Sequence, residues 1–117
     1  MNNYKELDVW KRSIKLAVNI YKLTSTLPTE EKFGLVSQLR RCAVSVPSNI
    51  AEGSGRKTNK EFSQFLSIAY GSLCELDTQV IISLELGYLK TTDVQDIEKE
   101  VGELQKMIFA LIQKFSV

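Results

Sequence analysis

Apolar residues recur three and four positions apart in four separate stretches of this 117-residue chain. That rhythm places side chains along one stripe of an α-helix, whereas a half-buried strand needs a period of two. In the last stretch Val94, Ile97, Val101, Leu104, Ile108, Leu111 and Phe115 make a coiled-coil-like seam. In the third, Phe62, Phe65, Leu66, Ala69, Leu73, Leu76, Val80 and Leu84 carry the stripe. The second stripe is Leu35, Leu39, Cys42, Val46 and Ile50, and the first is Leu7, Trp10, Ile14, Ala17, Val18 and Tyr21, with Trp10 as a core anchor. Stripes of this kind must be buried against one another, and short connections set consecutive helices antiparallel. The expectation is an all-α fold: one domain over residues 1–117, an antiparallel up-down-up-down four-helix bundle with helices at about 7–23, 30–52, 58–86 and 92–115.

Local signals divide the stretches. Asp8 suits the start of the first helix, where the helix dipole favours a carboxylate. Thr26-Leu27-Pro28-Thr29 reads as a turn, with Thr29 as N-cap and Glu30 and Glu31 in the first turn of helix two. Gly53 and Gly55 are expected to stop that helix by taking the left-handed conformation of a C-cap. Thr58-Asn59-Lys60-Glu61 and Thr92-Asp93-Val94-Gln95 read as capping boxes, and Gly87 ends helix three. Within helix three, Ser63, Ser67 and Gly71 form a small-residue stripe suited to close approach by another helix. Ile68, Ile81 and Ile82 extend the apolar surface toward a subunit contact.

The stretch from Gln38 to Lys57 is unusual in a second way. Beside its apolar stripe runs a wholly polar one: Gln38, Arg41, Ser45, Asn49 and Glu52. Short polar side chains compete for the backbone and weaken a solvated helix, so their stacking predicts a hydrogen-bonded network rather than a wet edge. Pro47 removes a backbone donor at mid-helix and crowds the carbonyl of Ala43. Because the apolar spacing continues through Ile50 without a change of phase, a kinked but continuous helix is expected. Gly53-Ser54-Gly55-Arg56-Lys57 lacks the lysine-serine ending and the preceding strand of a P-loop, and reads as an interhelical turn.

The formal net charge of +1 conceals a division. Residues 1–60 hold eleven Lys/Arg against five Asp/Glu, and residues 61–117 hold four against nine. Three uses fit: a basic half that meets RNA, a head-to-tail contact between copies, or neutralisation between neighbouring helices. With no run of eighteen apolar residues and a polar opening, no membrane segment or signal peptide is expected, and the cytoplasm is the expected location. Cys42 and Cys74 each fall on the apolar side of a helix and read as small buried hydrophobes.

The string Arg-Arg-x-Ala-x-Ser-x-Pro-x-Asn-Ile-Ala-Glu-Gly, carried here by Arg40, Arg41, Ala43, Ser45, Pro47, Asn49, Ile50, Ala51, Glu52 and Gly53, is distinctive. With Leu7-Asp8-Val9-Trp10, the run from Phe62 to Asp77 and Leu86-Gly87-Tyr88-Leu89, it resembles the bacterial four-helix-bundle proteins encoded in intervening sequences of 23S ribosomal RNA genes. Cys42 stands where that family has alanine. The resemblance implies an up-down bundle that assembles into homopentamers, RNA as a partner, and kinship with the accessory protein of diversity-generating retroelement reverse transcriptases.

Catalysis has little to work with. The chain has no histidine, which removes the commonest proton-transfer group near neutral pH and every Ser-His or Cys-His nucleophile system. Two cysteines on separate helices do not make a zinc site. No enzyme activity, metal or cofactor is expected. The first functional expectation is therefore a non-enzymatic RNA-binding oligomer that meets phosphates through Arg40, Arg56, Lys57 and Lys60. The alternatives are a protein-protein adaptor, such as an accessory subunit for a reverse transcriptase, and a small-ligand sensor using Arg41, Ser45, Asn49 and Glu52.

Overall fold

In a computed structural model that describes residues 3–116, each of the four stretches is a helix: α1 (Asp8–Thr24), α2 (Leu35–Ser54), α3 (Asn59–Glu85) and α4 (Thr91–Phe115). No strand occurs among the described residues. Side chains that meet across the helices give the directions. Arg40 near the start of α2 reaches Thr24 at the end of α1, and Gln38 near the start of α2 meets Gln79 toward the end of α3. Phe62 near the start of α3 packs on Phe115 at the end of α4, and Asp8 and Val9 at the start of α1 share a cleft with Ala110 and Leu111 toward the end of α4, so every neighbouring pair is antiparallel. Each helix packs on its chain neighbours, α1 closes the square against α4, and α1 and α3 lie on the diagonal. The bundle is 43 Å long and about 20 Å across. Its axis is filled by Ile20, Leu39, Val46, Ile50, Phe62, Leu66, Leu73, Leu76, Leu104 and Ile108, all with almost no exposure.

The helix ends show which local signals operate. Thr58 caps α3 by accepting from the Glu61 amide at 3.1 Å, and its hydroxyl donates to the Glu61 carboxylate at 3.1 Å. At the other end of α3, Gly87 adopts φ +82°, the Tyr88 amide donates to the Ser83 carbonyl and the Gly87 amide to the Leu84 carbonyl, both at 2.9 Å. That is a Schellman turn.

Three boundary expectations are corrected. Thr29 is not the cap of α2: Thr29–Glu31 form a separate 3-10 turn, and Glu31 accepts from the Leu35 amide at 3.2 Å, so the helix starts at Leu35 rather than near residue 30. α4 starts at Thr91 after Lys90, with no side-chain cap, so the Thr92 box does not form. Gly53 lies inside α2 and Gly55 ends it in a right-handed conformation (φ −87°, ψ −2°), so neither glycine is there for left-handed geometry. The requirement at Gly53 is steric, because a Cβ there would sit 2.6 Å from the Cβ of Phe65.

α2 passes through Pro47 as one helix, with the proline buried. The close approach of α2 and α3 falls at Gly53. Gly71 and Ser67 are exposed, and a Cβ on Gly71 would meet nothing, so within one chain no helix approaches these two positions, whereas Ser63 is buried. Cys74 is also exposed, unlike the buried Cys42. α3 is long and apolar enough in composition to cross a membrane. Packing against α2 and α4 buries 39 % of that apolar stretch, and Ile68, Ile81 and Ile82 remain exposed.

The largest correction concerns α1. Its buried face is Val9, Ser13, Leu16, Ala17, Ile20 and Thr24. Of the expected stripe only Ala17 is buried. Leu7 and Trp10 are half-buried, while Ile14, Val18 and Tyr21 are 37–47 % exposed. Two stripes with the same spacing lie side by side on this helix. The true core face was disguised by Ser13 and Thr24, whose hydroxyls are satisfied by the carbonyls of Trp10 (2.8 Å) and Ile20 (2.7 Å).

Candidate interaction surfaces

The polar stripe of α2 divides into smaller groups. Ser45 Oγ lies 2.8 Å from Ser72 Oγ, and the Asn49 amide donates to the Ser45 carbonyl (2.8 Å) and hydroxyl (2.9 Å). Two turns earlier, Gln79 donates to Gln38 at 3.1 Å, and the Cys42 thiol lies 3.8 Å from Gln79 Oε1. These bonds stitch α2 to α3. Burial, followed by the neighbouring Glu75 carboxylate, pushes the Cys42 thiol up to about 11, so it stays protonated and unreactive at neutral pH. Glu52 pairs not with Arg41 but with Arg56, at 3.4 Å. Arg41 lines a polar groove of about 630 Å³ on the outer side of α2 and has no hydrogen bond or ion pair among the described residues.

The four cations proposed for phosphates do not form one patch. Arg40 is occupied: its guanidinium donates to Thr24 Oγ1 (3.0 Å) and the Tyr21 carbonyl (3.2 Å) and stacks 4.6 Å from the Tyr21 ring. It ties α2 to the C-terminal carbonyls of α1. Arg56 stacks 4.7 Å from the Phe65 ring besides pairing with Glu52. Lys57 and Lys60 are exposed at the α2–α3 turn and free of ion pairs among the described residues.

The feature missed from sequence is an apolar groove of about 530 Å³ between α1 and α2, lined chiefly by Trp10, Ile14, Val18, Tyr21, Val44 and Pro47. Tyr4 closes one end by packing edge-on against Trp10, with centroids 5.4 Å apart. Its signal in the sequence is the second apolar stripe of α1, which spacing alone assigns to the core. Across the bundle, α3 and α4 expose Ile68, Ile81, Ile82 and Phe109.

Charge follows the same division. α1 and α2 hold six Lys/Arg against two Asp/Glu, and α3 and α4 hold four against nine. Since α1 and α3 are diagonal, the basic and acidic helices form opposite walls. Among the described residues one ion pair joins them, Arg12 to Glu100 at 2.6 Å, so neutralisation within the bundle is slight. No cluster of three or more His, Cys, Asp or Glu suited to a metal occurs among the described residues.

These features define a class: an all-α bundle whose chemistry lies on its outer walls. The chain belongs to the family of 23S rRNA-intervening sequence proteins, whose family model it matches over residues 5–110. A solved relative of unknown function, from the S23 ribosomal protein family of Bacteroides thetaiotaomicron, has the same fold at TM-score 0.80. It is 22 % identical, and the match covers 89 % of this chain and 97 % of that one. No curated protein matches.

Proposed function

We propose that this protein is a non-catalytic interaction module that assembles with copies of itself, joining the basic, grooved α1–α2 wall of one copy to the acidic α3–α4 wall of the next. The observation that carries the reading is the opposition of the two walls: each is charged with its own sign and each exposes large apolar side chains. Unlike surfaces that meet head to tail close into a ring when the rotation allows, and the resemblance puts the ring at five copies. Opposite potentials bring the walls together, and burial of Ile14, Val18, Tyr21 and Val44 holds them. Such a ring serves as an adaptor by presenting repeated copies of its remaining surface to a protein partner.

The test is light scattering of the wild type and of the double variant Val18→Glu, Val44→Glu at low and high salt. The wild type is expected to scatter as a multimer and to weaken as salt rises. The double variant is expected to be a folded monomer, since both positions are exposed. A wild type that is monomeric at tens of micromolar removes the reading.

Lys57 and Lys60, exposed at the α2–α3 turn, support a second role, contact with RNA phosphates. A ring of copies would repeat that pair and strengthen a weak contact through multivalency. The expected result for Lys57→Glu, Lys60→Glu is loss of RNA binding in fluorescence anisotropy, with a shallower salt slope. Unchanged binding would leave the assembly role alone.

A further inference from the structure

Phe109 on α4 is the largest apolar side chain exposed on the acidic wall, at 53 %, and it stands at the rim of a shallow depression shared with Tyr70, Gly102, Gln105 and Lys106. The contacts between helices fix its height on the bundle. Ser45 of α2 meets Ser72 of α3, and Cys74 of α3 meets Gln105 of α4. Ser45 and Gln105 therefore lie within about two residues, or ~3 Å, of one level. α2 and α4 run in the same direction, each being antiparallel to α3. One turn further along, Phe109 comes level with Pro47 and Ser48. Those two residues form the middle of the α2 side of the apolar groove, which α1 completes with Trp10, Ile14 and Val18. The exposed aromatic of one wall and the middle of the groove in the other thus lie at the same height on opposite sides of the bundle.

We infer that Phe109 is the anchor between copies: its ring inserts into the α1–α2 groove of the next molecule, against Trp10, Ile14, Val18 and Pro47. This rests on the head-to-tail assembly of the two walls and names the contact that sets its register. Copies standing side by side in a closed ring are related by rotation alone, so a residue of one copy meets residues of the same height in the next. The groove, at about 530 Å³, has room for one phenyl side chain. Gly102 lies two turns before Phe109 on the same face, and a Cβ there would meet nothing, so no side chain at that position holds a neighbour off. The opposite charges of the walls draw the copies together over a distance, and a buried aromatic in a fitted pocket supplies the short-range hold that charge alone lacks.

Trp10 is the single tryptophan of the chain and lines the groove, so its emission reports whether the groove is filled. Light scattering and Trp10 emission of the full chain, followed as the protein is concentrated, test the anchor. In the wild type the emission should move to shorter wavelength as copies assemble. Phe109→Ala, at an exposed position, should raise the concentration needed for assembly by about thirtyfold or more, the loss typical of an interface hot spot, with the emission change displaced in step. A mixing experiment then identifies the pocket. Phe109→Ala keeps its groove, and the double variant Val18→Glu, Val44→Glu keeps its Phe109. At a concentration where each alone is a monomer, an equal mixture should give a dimer and nothing larger. A Phe109→Ala protein that assembles like the wild type overturns the anchor and leaves the wall-to-wall assembly standing. A mixture that stays monomeric overturns it as well, and a wild type that never assembles removes both.

Discussion

Two glycines show how differently one residue type can be used on neighbouring helices. At Gly53 an added Cβ would lie 2.6 Å from the Phe65 Cβ and 3.0 Å from the Phe62 ring, so α2 and α3 touch backbone to side chain. Gly53→Ala forces these helices apart or tilts Phe65, and the expected loss is about 1–3 kcal/mol, the usual cost of overpacking. At Gly71 the same methyl group meets nothing, and the helix interior gains from reduced backbone freedom. Gly71→Ala is expected to raise stability by up to about 1 kcal/mol. Urea unfolding of the two variants at matched m-values checks both signs. A loss at Gly71 would itself be informative, since only a second molecule packed on that face could supply the missing contact.

At the scale of elements, the sequence was legible wherever one residue acted alone. Thr58 caps with its own hydroxyl and Gly87 supplies its own left-handed turn, so α3 ends where the pattern says. It was illegible where the work is shared. Glu31 caps α2 from four residues away and across a 3-10 turn, and Lys90 precedes α4 with no side-chain cap. The face of α1 is the clearest case. Val9, Leu16 and Ile20 share a spacing with Trp10, Ile14, Val18 and Tyr21, and periodicity measures spacing, not direction. Only the partner helices decide which stripe is covered. Buried serine and threonine, bonded to their own backbone, tipped the reading toward the wrong stripe, and with it hid the groove. The polar residues of α2 were recognisable as a group, but the bonds of Ser45 and Gln38 that leave the helix go to Ser72 and Gln79, more than 25 positions along the chain, and no local pattern encodes those partners.

For the whole molecule, the four helices are not held equally. α3 is covered on both flanks by extensive contacts with α2 and α4, while α1 rests mainly on α2 and makes its slightest contact with α4. Arg12 grips Glu100 across that seam with two bonds of 2.6 and 3.0 Å, yet both side chains are about a third exposed (38 % and 30 %), so screening limits the pair to about 1 kcal/mol at most. α1 should therefore open before the rest of the bundle. In native-state hydrogen exchange on dilute protein, the amides of Leu16 to Ile20 are expected to exchange through a lower-energy opening than those of Leu66 to Leu76. Arg12→Ala should lower only the α1 opening, by about 0.5–1 kcal/mol. Concentration then separates folding from assembly. If neighbouring copies cover the α1–α2 wall, protection of α1 must rise with protein concentration. Equal exchange of α1 and α3 at every concentration would instead make the bundle one cooperative unit and leave its basic wall uncovered.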